Sequence, residues 1–248
     1  MAAILCALSA CATRKRNTVV LFVGPSAYDG ATIRVLLTFK SRNGKTGPMA
    51  QLTIIRDDLD PVHACKFGED FSVCGRCPLR ANGCYVNVSR SILAMWKATN
   101  GLPADLAGGL ARLAASGLPV RLGAYGDPAA IPPEVFAAIR SACTGGVTGY
   151  THGALLKGFD GIAHLRDSCM ISAESETYAS HAHAAGFRTF RTRAPGAALM
   201  AREIDCPSER ISCAQCRLCC GASSKAKSIS IPVHGSQSRK ALAVLAAA

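Results

Sequence analysis

Two groups of cysteine bracket the middle of this chain, and they constrain its fold more than any other feature. The first is Cys74-Gly-Arg-Cys77-Pro-Leu-Arg-Ala-Asn-Gly-Cys84; the second is Cys206-Pro207 followed by Cys213-Ala-Gln-Cys216-Arg-Leu-Cys219-Cys220. Together they hold most of the thirteen cysteines. The odd count, the C-x2-C spacings and a length of 248 residues argue against a disulfide framework, because a chain this long buries a core without covalent staples. Tight C-x2-C pairs instead read as metal ligands in a reducing compartment.

The spacings narrow the metal. Cys74, Cys77 and Cys84 can occupy three corners of one centre, and a tetrahedral zinc would need a fourth ligand, for which Cys65 and His63 are nearest in sequence. In the second group, C-x2-C-x2-C crowds a single small ion but suits a cubane cluster, with Cys206-Pro207 as the remaining ligand in the manner of bacterial ferredoxins. The expected ligands are therefore Cys74, Cys77 and Cys84 at one centre and Cys206, Cys213, Cys216 and Cys219 at another, with zinc open as the alternative at each. A single ribbon through Cys74, Cys77, Cys213 and Cys216 is disfavoured by the long chain between them. Cys143 and Cys169 read as small buried hydrophobes.

Periodicity supplies the scaffold. Residues 18–56 alternate as strands bounded by Gly and Pro, which predicts a hairpin and a third strand. Helical spacing follows over 85–99 and 104–116, with Gly117 at the position of a C-terminal cap. Strands over 120–125, 146–151, 169–173, 187–192 and 201–204 then alternate with helical stretches. That rhythm predicts an α/β fold built of parallel βαβ units, too few for an eight-fold barrel. The expected architecture is a partial (β/α) barrel or an open parallel sheet, with an N-terminal β-hairpin and a Cys-rich C-terminal extension. Both place their sites at the C-terminal ends of the strands. The domain reading is a disordered extension over 1–17, an α/β domain over 18–205, and a Cys-rich segment with a mobile basic tail over 206–248, in which 229–233 could add an edge strand.

The formal net charge of +12 favours a polyanionic partner, DNA or a nucleotide, since clustered Lys and Arg release counterions from phosphates; a solvated basic surface is the plainer account. The first residues lack the basic segment of a secretory signal, and no stretch is apolar for long enough to span a bilayer.

Val120-Arg-Leu-Gly-Ala-Tyr-Gly-Asp-Pro128 resembles the second strand and following turn of radical S-adenosylmethionine enzymes. The order of elements is similar too: a cysteine loop, a helix, a strand ending in Gly-Asp-Pro, then further βα units. The spacing C-x2-C-x6-C departs from the family's CxxxCxxC. The chain also resembles a group of radical-SAM-like proteins encoded by bacteriophages. The resemblance implies one or two 4Fe–4S clusters and S-adenosyl-L-methionine as cofactors, with Tyr125, Gly126, Asp127, Pro128, Ser172 and Glu174 contacting the latter. It implies Tyr150 and His152 as catalytic candidates, a pocket also shaped by Arg191, and an electron donor such as flavodoxin. It further implies work in the cytoplasm of a bacterial host cell, with no membrane, on an amino-acid-modified thymine in phage DNA. The alternative is a non-catalytic, zinc-stabilised nucleic-acid-binding protein. On the residues alone, His181 and His183 are two apart on a helix and do not share a face, while Arg191 and Arg193 share one face of a strand. These arginines could grip an anion or guard a solvated edge.

Overall fold

The computed structural model describes residues 16–41, 43–80, 83–223 and 225–247; Cys6, Cys11 and nearly all of the expected N-terminal extension lie outside them. Nine strands form one open sheet in the order β1-β2-β3-β4-β5-β6-β7-β9-β8. They are β1 (Thr18–Pro25), β2 (Thr32–Thr38), β3 (Ala50–Arg56), β4 (Val120–Tyr125), β5 (Val147–Thr151), β6 (Met170–Ala173), β7 (Thr189–Arg193), β8 (Glu203–Asp205) and β9 (Ser228–Pro232). The first three are antiparallel neighbours, and every other neighbouring pair runs parallel. Nine helices are interspersed: α1 (Pro61–Phe67), α2 (Phe71–Cys74), α3 (Leu93–Thr99), α4 (Leu106–Ser116), α5 (Pro133–Ala142), α6 (Ala154–Lys157), α7 (Glu176–Ala184), α8 (Cys213–Cys216) and α9 (Ser238–Ala246). Of the two architectures expected from the βα rhythm, a partial barrel and an open sheet, the fold is the open α/β sheet, and no described helix is long and apolar enough to cross a membrane.

Local chemistry explains the boundaries. Asp105 caps α4 by accepting from the Gly108 amide at 2.8 Å, and Gly117 closes it in the left-handed region. Strands β2 and β3 are buried along almost their whole length, on both faces, as a sheet covered on two sides requires. The alternation read in the sequence is thus weaker than the apolar run it sits in. Leu21, Ile33, Leu36, Leu52, Ile54, Leu122 and Phe136 anchor the core. One turn of π-helix over Val88–Ile92 precedes α3, so the helix expected from residue 85 begins three residues later.

The C-terminal third departs further from expectation. The segment after Cys220, read as a mobile tail with at most an edge strand, supplies β9 and α9, and β9 lies inside the sheet between β7 and β8. Its sequence Ser-Ile-Ser-Ile puts Ser228 and Ser230 on one face, where both are buried. Serines are small enough to let arginines of β7 reach across β9 to β8. Arg191 makes a bidentate contact with Glu203 at 2.7 and 2.6 Å, and Arg193 pairs with Asp205. Arg188 instead donates to the carbonyls of Leu218, Gly221 and Lys227. The basic strand is therefore neither an anion grip nor a solvated edge; its charges are consumed in joining the last strand.

Glu203 tests this joint. Burial raises its carboxyl, but the Arg191 hydrogen bonds, the Met200 amide and the Arg191 charge outweigh burial and hold the group below its ordinary value of 4.5. A carboxyl depressed in the fold contributes stability above its unfolded pKa and loses it as pH falls through the folded value. Glu203→Gln is expected to lower urea stability at neutral pH by about 3 kcal/mol, the scale for breaking a buried pair. The gap from wild type should hold down to about the ordinary value of 4.5 and narrow below it. A gap that stays constant into acid would mean that the ion pair is not what Glu203 contributes.

Candidate functional site

The C-terminal ends of β4 to β7 open into a cavity of about 340 Å³. Cys74, Cys77 and Cys84 stand on one wall of it, together with Gly126, Asp127 and His152. Between β3 and this wall the chain is pinned locally. Asp60 caps α1 by accepting from the Val62 and His63 amides, and Pro61 opens the helix. Buried Asp70 pairs with Arg80 at 3.0 Å, and Arg80 also donates to the Gly68 carbonyl. Two tight turns follow, with Cys77 N–H donating to the Cys74 carbonyl and the Gly83 and Cys84 amides donating to the Leu79 carbonyl. The loop is then tied to β4, because the Asp127 amide donates to the Val73 carbonyl at 2.8 Å. The first cysteine group and the Gly-Asp-Pro turn thus share one end of the sheet.

That turn works because of two glycines. Gly126 has φ +81, and a Cβ there would meet the Ile54 carbonyl oxygen at 2.8 Å. Gly123 has φ +68, and its Cβ would meet the Gly126 carbonyl oxygen at 2.6 Å. Any larger residue would push the strand end away from the cysteine loop. Asp127 itself is buried and engaged. One carboxylate oxygen accepts from the Ala129 amide at 2.9 Å and the Thr151 hydroxyl at 2.6 Å, and the other accepts from the His152 amide at 2.7 Å. Burial raises its pKa while these donors oppose the rise. Asp127 is therefore foremost a brace between the ends of β4 and β5, and Pro128 begins the buried turn behind it without lining the cavity.

On the same wall, His152 reaches Cys77, and its Nε2 lies 2.8 Å from a Glu174 oxygen. Burial alone would lower that imidazole's pKa, but Cys77 and Glu174 lift it well above its ordinary value. Ser172 and Glu174 both line the space, and Tyr150 packs against Phe190 with ring centroids 4.5 Å apart. Tyr125 also lines it and is almost wholly buried. Arg191, expected to help shape the pocket, does not. Side chains alternate across a strand, so Phe190 and Thr192 face the cavity while Arg191 points to the opposite side, at Glu203.

Cys77 has the His152 imidazole beside it, but no described cation offsets the burial of Cys74 or Cys84. Burial raises Cys74 first, and Asp70, Cys77, Cys84 and Asp127 raise it further. Burial likewise raises Cys84, with Cys77, Cys65 and Asp70 adding to it against one backbone hydrogen bond. Cys65 lines a smaller recess behind the same three cysteines, whereas His63 stacks on Phe67 at 4.5 Å and lines neither space. Among the described residues no group of three or more His, Cys, Asp or Glu side chains is arranged to hold a single metal ion. A structural zinc would draw four donors in to about 2.3 Å. Held up by burial and by one another, Cys74 and Cys84 would need a positively charged group beside them to stand as thiolates.

Cys206 and Cys213 of the second group line the same cavity. The Cys206 amide donates to the Ser230 carbonyl in the middle of β9. Ser212 and Gln215 form a capping box on α8, and the Cys213 and Ala214 amides donate to the Lys45 and Thr46 carbonyls. Arg217 takes a left-handed conformation, with φ 51, to turn the chain back towards Cys219. Cys219 is pushed up to about 12, by burial first and then by Cys206, Cys213 and Cys216 together, against a hydrogen bond from Tyr150. Cys206, Cys213 and Cys216 are thus all near enough to perturb Cys219; the Cys220 thiol contacts the Leu218 carbonyl. The two groups were read as separate centres, and their opening onto one cavity had no signal in the sequence.

Two further residues escaped that reading. Tyr28, from the β1–β2 loop, packs so closely on Gly75 that a Cβ there would come within 3.0 Å of its ring. Arg121 lines the cavity from β4, and its signal was legible: a charge within an otherwise apolar parallel strand. Comparison of the chain with protein-family models, with curated proteins and with solved structures finds no match among any of them.

If Asp127 is a brace, Asp127→Asn should lower urea stability by about 1–3 kcal/mol, because an amide cannot accept all three internal donors. Unchanged stability would mean that the three donors find other partners, so that the carboxylate is not needed to hold the strand ends.

Proposed function

We propose that this chain is a radical S-adenosylmethionine-type iron–sulfur enzyme acting on a nucleobase-related substrate. The observation that carries the reading is the meeting of Cys74, Cys77 and Cys84 with the Gly126 turn and Glu174 around one cavity at the C-terminal strand ends. A 4Fe–4S cluster and S-adenosyl-L-methionine, when bound, supply reductive cleavage of the sulfonium to a 5′-deoxyadenosyl radical that removes a hydrogen atom from the substrate. The chain's own residues bind, orient and exclude water. Cys74, Cys77 and Cys84 would hold the cluster and leave its cavity side free. Because the Asp127 carboxylate is already engaged by three donors, the backbone carbonyls of the Tyr125–Gly126 turn would receive the methionine ammonium. Glu174, oriented by His152, would accept from the ribose hydroxyls, with Ser172 beside it. Tyr150 and Phe190 form an apolar wall that keeps solvent from the reacting centre.

Cys206, Cys213, Cys216 and Cys219 would hold a second cluster on the far side, within reach of an external electron donor such as flavodoxin. The net charge of +12 supports a DNA or nucleotide substrate. With the resemblance to phage-encoded proteins, it supports rearrangement of an amino-acid-modified thymine in DNA hypermodification, in the cytoplasm of a bacterial host.

Anaerobic purification with iron, sulfide and zinc quantitation, followed by reduction with S-adenosylmethionine, tests this. The expected result is about four or eight irons per chain, and 5′-deoxyadenosine that disappears in Cys84→Ala. Zinc without sulfide, and no cleavage, would sink the reading and leave a zinc-stabilised nucleic-acid binder.

A further inference from the structure

Burying a cation without an anion beside it costs several kcal/mol, and this chain avoids doing so almost everywhere. Arg34 pairs with Asp57, Arg56 with Asp58, Arg80 with Asp70, Arg191 with Glu203 and Arg193 with Asp205. Arg188 is surrounded by three carbonyl oxygens. Arg121 is the exception at the cavity. Its side chain is largely enclosed, and its Nε is sealed from solvent with no hydrogen-bond partner among the described residues. Its Nη2 meets only the hydroxyl of Tyr85, over whose ring the guanidinium also lies. No described carboxylate forms an ion pair with it; the groups that face it are the Tyr85 and Tyr150 hydroxyls and the Cys213 thiol.

The surroundings suggest what is missing. Lys45 lines the same cavity, whereas the one lining carboxylate beyond the Asp127 brace, Glu174, pairs with His152 and not with Arg121. A guanidinium offers five donors in a planar fork that matches carboxylate or phosphate oxygens. The rest of the lining includes Tyr150, Phe190, Ile231 and Val233, and a largely apolar space of this size with a few placed polar groups is the usual form of a small-molecule site.

We propose that Arg121, supported by Lys45, anchors the oxyanion of a small organic acid, a carboxylate or a phosphate with an apolar or aromatic body, between the two cysteine groups. This deepens the proposed function by naming the substrate class, and it rests on that reading only in calling the ligand a substrate. The binding site itself stands on the unpaired guanidinium and the cavity.

Isothermal titration of the purified full-length chain, without S-adenosylmethionine or reductant, with four probes tests it. Benzoate and benzamide report a carboxylate anchor, and thymidine 5′-monophosphate and thymidine report a phosphate anchor. At least one acid should bind about tenfold or more tightly than its neutral analogue, in line with a charge-assisted contact. Whichever acid is preferred identifies the oxyanion. Arg121→Gln should abolish the preference, and Arg121→Lys should retain part of it. Because Arg121→Gln could also unfold the chain, the wild type provides a second reading by ¹⁵N-arginine NMR. The Arg121 Nε–H resonance, assigned by its loss in Arg121→Lys, should shift with the preferred acid and not with its neutral partner.

Equal binding of acids and neutral analogues, or a preference that survives Arg121→Gln, would overturn the proposal. So would a change in metal content alone on Arg121→Gln, which would make Arg121 the counterion of the Cys213 group. Anion binding in a protein that forms no 5′-deoxyadenosine would instead remove the radical reading and leave this site standing, and the reverse outcome would remove only the site.

Discussion

The carboxylate of Asp127 holds together the end of the sheet on which everything else depends. Its amide ties the first cysteine loop to β4 through the Val73 carbonyl, and its oxygens tie β4 to β5 through Thr151 and the His152 amide. In a buried setting each of these donors would be costly to leave unpaired, so the three elements are locked to one another. The cavity is the space this lock leaves open. Backbone brought close by Gly123 and Gly126 lines it, together with the first-group thiols and the His152–Glu174 pair that adjoins Cys77.

The other half of the molecule is organised by charge. A chain rich in arginine has to place those guanidinium groups, and here several are used as internal ties rather than as a binding surface. Arg191 and Arg193 reach over the serines of β9 to acids on β8, and Arg188 gathers the carbonyls of the turn that carries Cys219. The second cysteine group is therefore carried by a segment fastened into the sheet, which is how it comes to face the first across a single space. Only against this background is Arg121 unusual, as the guanidinium at the cavity without an acid.

The radical reading and the anion site draw on different parts of this arrangement. The first depends on three thiols beside a glycine turn at the strand ends; the second depends on one cation whose partner is missing. A substrate held at Arg121 would lie close to the Tyr150–Phe190 surface, in a less polar setting where electrostatic contacts gain strength.

Much of this was legible in the linear chain. Spacing alone identified the two cysteine groups, the βα rhythm predicted an open parallel sheet or a partial barrel after an antiparallel start, and Gly117 marked the end of a helix, because these are properties of short stretches of backbone. What the chain could not show were relations between distant segments. Whether Ser228–Pro232 is an edge or an inner strand depends on Arg191 finding Glu203 across it. Whether Arg191 faces the cavity depends on the register that puts Phe190 there instead. Whether Asp127 meets a ligand or braces a strand depends on Thr151 and His152 arriving beside it. The sequence by itself determined the cysteine spacings, the glycine turns and the order of most of the elements. The tertiary structure decided that both cysteine groups share one cavity and that Arg121 stands in it unpaired, because pairing and burial arise only when separate strands are packed into one sheet.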